Sequence, residues 1–178
     1  MLSSKELLNN LTGGDRRSIG QSDEVAALVL RRPALFPRLM QGLCSSDPLI
    51  RMRAADAAEK VSSRRPDLLR PFKAKLLCLL DEATQQEMRW HLAQMIPRLR
   101  LSKKDRVRAA SVFRLYLSDR SSIVKTSALQ ALADLAHTDD ELMPEVKDLL
   151  TAVTKVGTAA MKARGRKLLR QLERNPPG

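Results

Sequence analysis

The chain has 178 residues, of which 43% are hydrophobic, 29% charged and only 3% aromatic. That length suits a single domain that buries about 70% of its unfolded surface, so disulfide or metal staples are not required, and the Leu- and Ala-rich, aromatic-poor balance argues against a β-sandwich. Lys and Arg outnumber Asp and Glu by 32 to 20, a net charge of +12, which excludes a near-neutral surface and directs attention to acidic partners.

In chain order, "MLSSKELLNN" lacks a basic stretch followed by an apolar run, so no signal peptide is expected. No apolar run approaches the ~18 residues needed to span a bilayer. A cytoplasmic location is expected. "SKELLNN" and "DEVAALVLRR", joined by the glycine-containing "TGGDRRSIGQS", read as a degenerate N-terminal helix pair within 1–32. The rest of the chain, up to a tail at 174–178, is a repeat. Four apolar first helices are predicted: "PALFPRLMQGLC", "LLRPFKAKLLCLL", "RVRAASVFRLYL" and "LMPEVKDLLTAV". Each precedes a second helix, "IRMRAADAAEKV" from Ile50, "MRWHLAQMIPRL" from Met88, "VKTSALQALADL" from Val124 and "MKARGRKLLRQL" from Met161. The anchors are 38, 36 and 37 residues apart. Apolar or small residues recur at offsets 0, 4, 7, 8 and 11, which mark one face of a helix.

Turn chemistry fits this division. Pro33, Pro71 and Pro144 each lie 17 residues before their anchor, and proline is tolerated in a first helical turn. Asp47-Pro48 reads as an N-cap with proline after it, and Thr84–Glu87 and Thr138–Glu141 read as capping boxes. Gly157-Thr158 reads as a helix end followed by a new cap.

The period, with "DPLIRMRAADAA" (47–58) and "SSIVKTSALQALADL" (121–135), resembles the HEAT-repeat family over residues 33–173. "QQEMRWHLAQM" departs by placing Leu92 where alanine is usual, and the last copy departs with Gly165. The resemblance implies an all-α fold, a right-handed α-solenoid of about four to five helix pairs in one domain over 1–178. It also implies that second helices line a concave surface. It says almost nothing about activity.

Site residues follow from the repeat. Arg51, Arg89, Lys125 and Lys162 all stand at offset +1, and the resemblance implies a structural ladder in which they pair with acids near the preceding turn, such as Asp47, Asp81 or Glu82, and Asp119. Direct ligand contact is the other reading of these four. On the concave face, Arg53, Asp56, Trp90, His91, Gln94, Thr126, Gln130, Arg164 and Lys167 are the candidates for contact with a protein or peptide, Trp90 being the aromatic anchor. The basic runs at 98–108 and 162–174 are either solvated edges or phosphate-binding patches. The second reading would use Arg98, Arg100, Lys103, Lys104, Arg106, Arg108 and Arg170. Charge is blocked along the chain: a net of +6 over 84–121, −4 over 122–154 and +6 over 155–178.

No phosphate-cradle, dinucleotide or H-E-x-x-H motif is present, and neither histidine nor the two cysteines stand at metal-ligand spacing. Cys44 and Cys78 read as small buried hydrophobes of a reducing compartment. His137 reads as a cation at a helix C-terminus. The expected function is a non-enzymatic binding scaffold for a protein or peptide, with no cofactor, no metal, no small-molecule substrate and no membrane. Nucleic-acid binding through the two basic runs is the alternative, and a helper subunit of an enzyme is a third. HEAT-like DNA glycosylases also use a basic groove, but no catalytic acid maps onto this chain, so that activity is not expected.

Overall fold

Small and apolar residues at the repeated offsets draw the helices together. In the computed structural model, which describes residues 7–8, 11–12 and 20–174, these positions are buried in all four copies except for half-buried Ile50 and Leu169. Nine α-helices and no strands occur among the described residues: α1 (Ser22–Arg31), α2 (Phe36–Gly42), α3 (Pro48–Arg64), α4 (Lys73–Glu82), α5 (Gln86–Met95), α6 (Lys103–Tyr116), α7 (Ser122–Ala136), α8 (Met143–Val156) and α9 (Ala159–Arg174). Short 3-10 turns lead into α2 and α4, at Pro33–Leu35 and Pro66–Phe72, and a third, Ile96–Arg98, ends α5. None of the helices is long and apolar enough to cross a membrane.

The predicted pairs are present: α2 with α3, α4 with α5, α6 with α7, α8 with α9. The chain divides between Leu99 and Arg100 into two compact units, at the joint between the second and third repeats. Within the first unit α3 packs against α1, α2 and α5, and α4 against α5. A helix with neighbours on three sides must be slim, and Ala54, Ala55, Ala57 and Ala58 are fully buried along it. In the second unit α7 packs against α6, α8 and α9, and α8 packs along α9. Second helices thus touch each other and their own first helices in each unit. Of the expected N-terminal pair, α1 is present, and Leu7 and Leu11 are completely buried. Residues 1–6, 9–10, 13–19 and the tail residues 175–178 lie outside the described part.

The helix starts only partly follow the sequence reading. Asp47 caps α3 by accepting from the Leu49 N–H at 2.8 Å, with Pro48 next. Thr158 accepts from the Met161 N–H at 3.3 Å. Gly157 ends α8 with φ −71°, so it serves by size and not by handedness: a Cβ there would lie 2.6 Å from the Val153 carbonyl oxygen. The Thr84 and Thr138 capping boxes do not form. α5 is preceded by Gln85 without a side-chain cap, and the Thr138 hydroxyl donates back to the Leu135 carbonyl at 3.1 Å. The capping box that does form is Ser102–Asp105, in which each side chain accepts from the other residue's N–H. Both thiols are free and exposed instead of buried. In α4 the core positions go to Leu76, Leu77 and Leu80, which turns Cys78 outward, where its thiol donates to Glu82 at 3.1 Å.

Candidate functional site

The second-helix residues divide by their offset from the anchor. At offset +3 stand Arg53, His91 and Arg164, all expected on an open surface. Each instead reaches toward the element before it. His91 Nε2 lies 4.0 Å from Asp56 Oδ1, and Arg164 Nη1 donates to Gln130 Oε1 at 3.1 Å. Asp56 and Gln130 both stand at offset +6, so the same contact joins the two second helices of each unit. Arg53 has no repeat before it and uses the N-terminal segment: its Nη1 donates to the Leu11 carbonyl at 2.9 Å, and the side chain is 0% exposed. A residue this covered cannot touch a partner. The reason is that Leu11 and Gly20 lie against it, which no period could reveal.

His91 is 7% exposed and its Nδ1 has no hydrogen-bond partner. Burial disfavours the imidazolium and lowers the His91 pKa to about 4, although Asp56, Glu59 and Glu87 pull the other way. The ring of Trp90 sits 5.5 Å from it, tilted by 58°. Asp56 accepts from the Ser22 hydroxyl and from Lys60 Nζ, and Lys60 also reaches Asp23. Burial works against the Lys60 charge, but the two carboxylates outweigh it and raise its pKa. The cluster therefore fastens α1, α3 and α5 together. Trp90 and Gln94 remain half-buried at its edge, and Thr126 bonds the Ser122 and Ile123 carbonyls of its own helix.

The two arginines at offset +1 share a contact with the backbone of the preceding turn. Arg51 donates to the Ser45 and Ser46 carbonyls at 2.7 and 3.0 Å and to Gln85. Arg89 donates to the Ala83 carbonyl at 2.9 Å. Both arginines thus reach a backbone carbonyl six residues upstream, where the turn leaves carbonyls unpaired and Asp47 is engaged as a cap. Lys125 and Lys162 make no such bond among the described residues, as the compact ammonium lacks the guanidinium's fan of donors.

Arg98, Lys103 and Arg106 of the 98–108 run are also engaged. Arg98 pairs with Glu59 and donates to the Glu59 carbonyl and Ser62 hydroxyl at 2.9 and 2.8 Å. It reaches them from the 3-10 turn Ile96–Arg98, into which Pro97 draws the end of α5. Arg106 binds Asp139 at 2.8 Å and the Leu101 carbonyl at 2.9 Å, and its hydrogen bond holds the Asp139 carboxyl below the usual range. Lys103 pairs with Glu141 at 2.6 Å. Arg100, Lys104 and Arg108 are exposed.

One cleft of about 280 Å³ opens between α7 and α9 in the second unit. Ala133, Leu168 and Leu172 floor it, and Gln130, Asp134, His137 and Gln171 surround it. Gln171 and Asp134 stand at offset +10, one turn past the offset +6 residues. Continuing the repeat register by one turn finds them. Among the described residues no group of three His, Cys, Asp or Glu side chains is placed to hold a metal ion.

No family model and no curated protein matches this chain. Among solved structures, the chain is similar to the crystal structure of an engineered protein from a structural genomics consortium, with a TM-score of 0.64 and 17% identity over 96% of this chain and 81% of that one. The likeness is one of fold.

Proposed function

We propose that the chain is a non-enzymatic helical-repeat scaffold of HEAT-like design that holds a short segment of a protein partner between second helices. The observation that carries this reading is the cleft between α7 and α9. Its volume of about 280 Å³ falls below the roughly 300–1,000 Å³ of small-molecule sites. It fits one or two side chains of a peptide better than a whole metabolite. Leu168 and Leu172 give an apolar floor, and the Gln171 amide offers a donor and an acceptor to a peptide backbone. Two exposed free thiols suit a reducing compartment, in keeping with a cytoplasmic scaffold that needs no cofactor.

The test is selection of a displayed random-peptide library on the intact chain, followed by titration of one enriched peptide. Gln171 is exposed, so Gln171→Trp fills the cleft without entering the core. Binding lost in that variant at unchanged melting temperature supports the reading. Enriched peptides that ignore the substitution overturn it.

A further inference from the structure

The second unit leaves one helix face charged and without counter-ions. At 100° per residue, Arg166, Lys167, Arg170 and Arg174 fall within one arc of α9 about Ala163, opposite buried Met161, Gly165, Leu168 and Leu172. All four cations are exposed, and none forms an ion pair among the described residues. The acidic block at 122–154 does not serve them. Asp139 is taken by Arg106, Glu141 by Lys103 and Glu145 by Arg114, all on α6. Three acids of the acidic block are thus taken up by α6, and the α9 face keeps four exposed cations on one arc. Glu173, the helix's single acid, sits at the edge of the arc and is also unpaired.

We propose that this face binds the phosphate backbone of a nucleic-acid duplex. A helix C-terminus favours cations, but that effect is confined to the last turn and does not account for Arg166 and Lys167. Three of the four are arginines, whose fork matches phosphate oxygens in two-point contact. Arg166, Arg170 and Arg174 cover about 12 Å at ~1.5 Å per residue, the length of three to four phosphates at ~3.4 Å per strand. The arc holds no large apolar or aromatic side chain. It has nothing to insert into a bilayer, no anchor for a protein and no ring on which to stack unpaired bases. Contact is therefore electrostatic and independent of base sequence. The face lies on a different flank of α9 from the peptide cleft and stands apart from that reading.

The experiment is fluorescence anisotropy of a labelled random-sequence 20-base-pair DNA duplex with the full chain. Binding is expected at 50 mM salt and about 100-fold weaker at 200 mM, for roughly four phosphate contacts. The variant Arg166→Gln/Lys167→Gln/Arg170→Gln/Arg174→Gln should lose most of the affinity and most of the salt slope while melting like the parent. A control with the same charge loss, Arg31→Gln/Arg32→Gln/Arg64→Gln/Arg70→Gln, should bind like the parent. Equal losses in the two variants would mean that net charge alone acts, and would overturn the proposal. So would binding without salt dependence, or tighter binding to phosphatidylserine vesicles than to the duplex.

Discussion

Gly20 lies directly against the guanidinium of Arg53: a Cβ added at Gly20 would sit 2.8 Å from both Cζ and Nε, and the residue has φ +57°. The turn before α1 thus depends on a missing side chain to close over a buried cation. Gly20→Ala should cost on the order of 1–2 kcal/mol from the left-handed backbone alone, and more from the crowding. Arg53→Ala should cost more, about 3 kcal/mol, since it leaves the Leu11 carbonyl without this donor and opens a cavity. Urea unfolding monitored by circular dichroism measures both. A neutral Gly20→Ala would mean that the N-terminal turn does not rest on Arg53.

His91 makes stability depend on pH in a defined direction. The unfolded chain binds a proton at His91 near pH 6.5, but the folded chain resists until about pH 4. Full stability is therefore present above pH 6.5 and falls as the pH drops toward 4, by ~3 kcal/mol in total. Asp139, with its lowered pKa, acts in the same direction but below its ordinary value of 3.8, so the two windows separate. Chemical unfolding at several pH values should show the loss in the parent and a nearly flat profile above pH 4.5 in His91→Gln. An unchanged profile in the variant would assign the effect to other groups.

The repeat was legible because its cause is local. Ala54, Leu92, Ala128 and Gly165 stand at one offset of a helical face, and packing requires that face to be small or apolar wherever helices meet. What the four copies do at the polar offsets was not legible. Position +3 looks exposed when one helix is drawn alone, yet Arg53, His91 and Arg164 there all turn toward the preceding element. The period reports which face is apolar, and a long polar side chain can still be covered by a neighbour. The Arg98 contact was hidden for a second reason. With Pro97 in the 3-10 turn that follows, α5 ends at Met95, four residues before the register does at Leu99, and the last turn is redirected.

Arg98 joins the end of α5 to α3 through three acceptors on Glu59 and Ser62. The Arg98 and Glu59 side chains are 25% and 16% exposed, so the pair lies between the surface and buried limits. A double-mutant cycle of Arg98→Ala and Glu59→Ala should give a coupling of about 1–2 kcal/mol. Arg98→Lys should recover less than half of the loss in Arg98→Ala, because one ammonium cannot reproduce the guanidinium geometry. Full recovery by lysine would reduce the contact to simple charge attraction.

Gly165 is the glycine where the other three copies have Ala54, Leu92 and Ala128. A Cβ there would lie 3.1 Å from Thr154 Cγ2 and Val153 Cγ2, and 3.3 Å from the Leu150 carbonyl oxygen. The last helix pair is therefore closer at this point than a side chain comfortably permits. Alanine would gain up to about 1 kcal/mol of helix propensity and lose a comparable amount to crowding, so Gly165→Ala should change stability little. Gly165→Leu has no room and should separate α8 from α9, costing more than ~2 kcal/mol. The two variants give different readouts. Urea midpoints should be similar for parent and alanine and clearly lower for leucine, with amide exchange in α8 and α9 accelerated only in the leucine variant. Stable folding of Gly165→Leu with protected α8 amides would show that the close approach is dispensable.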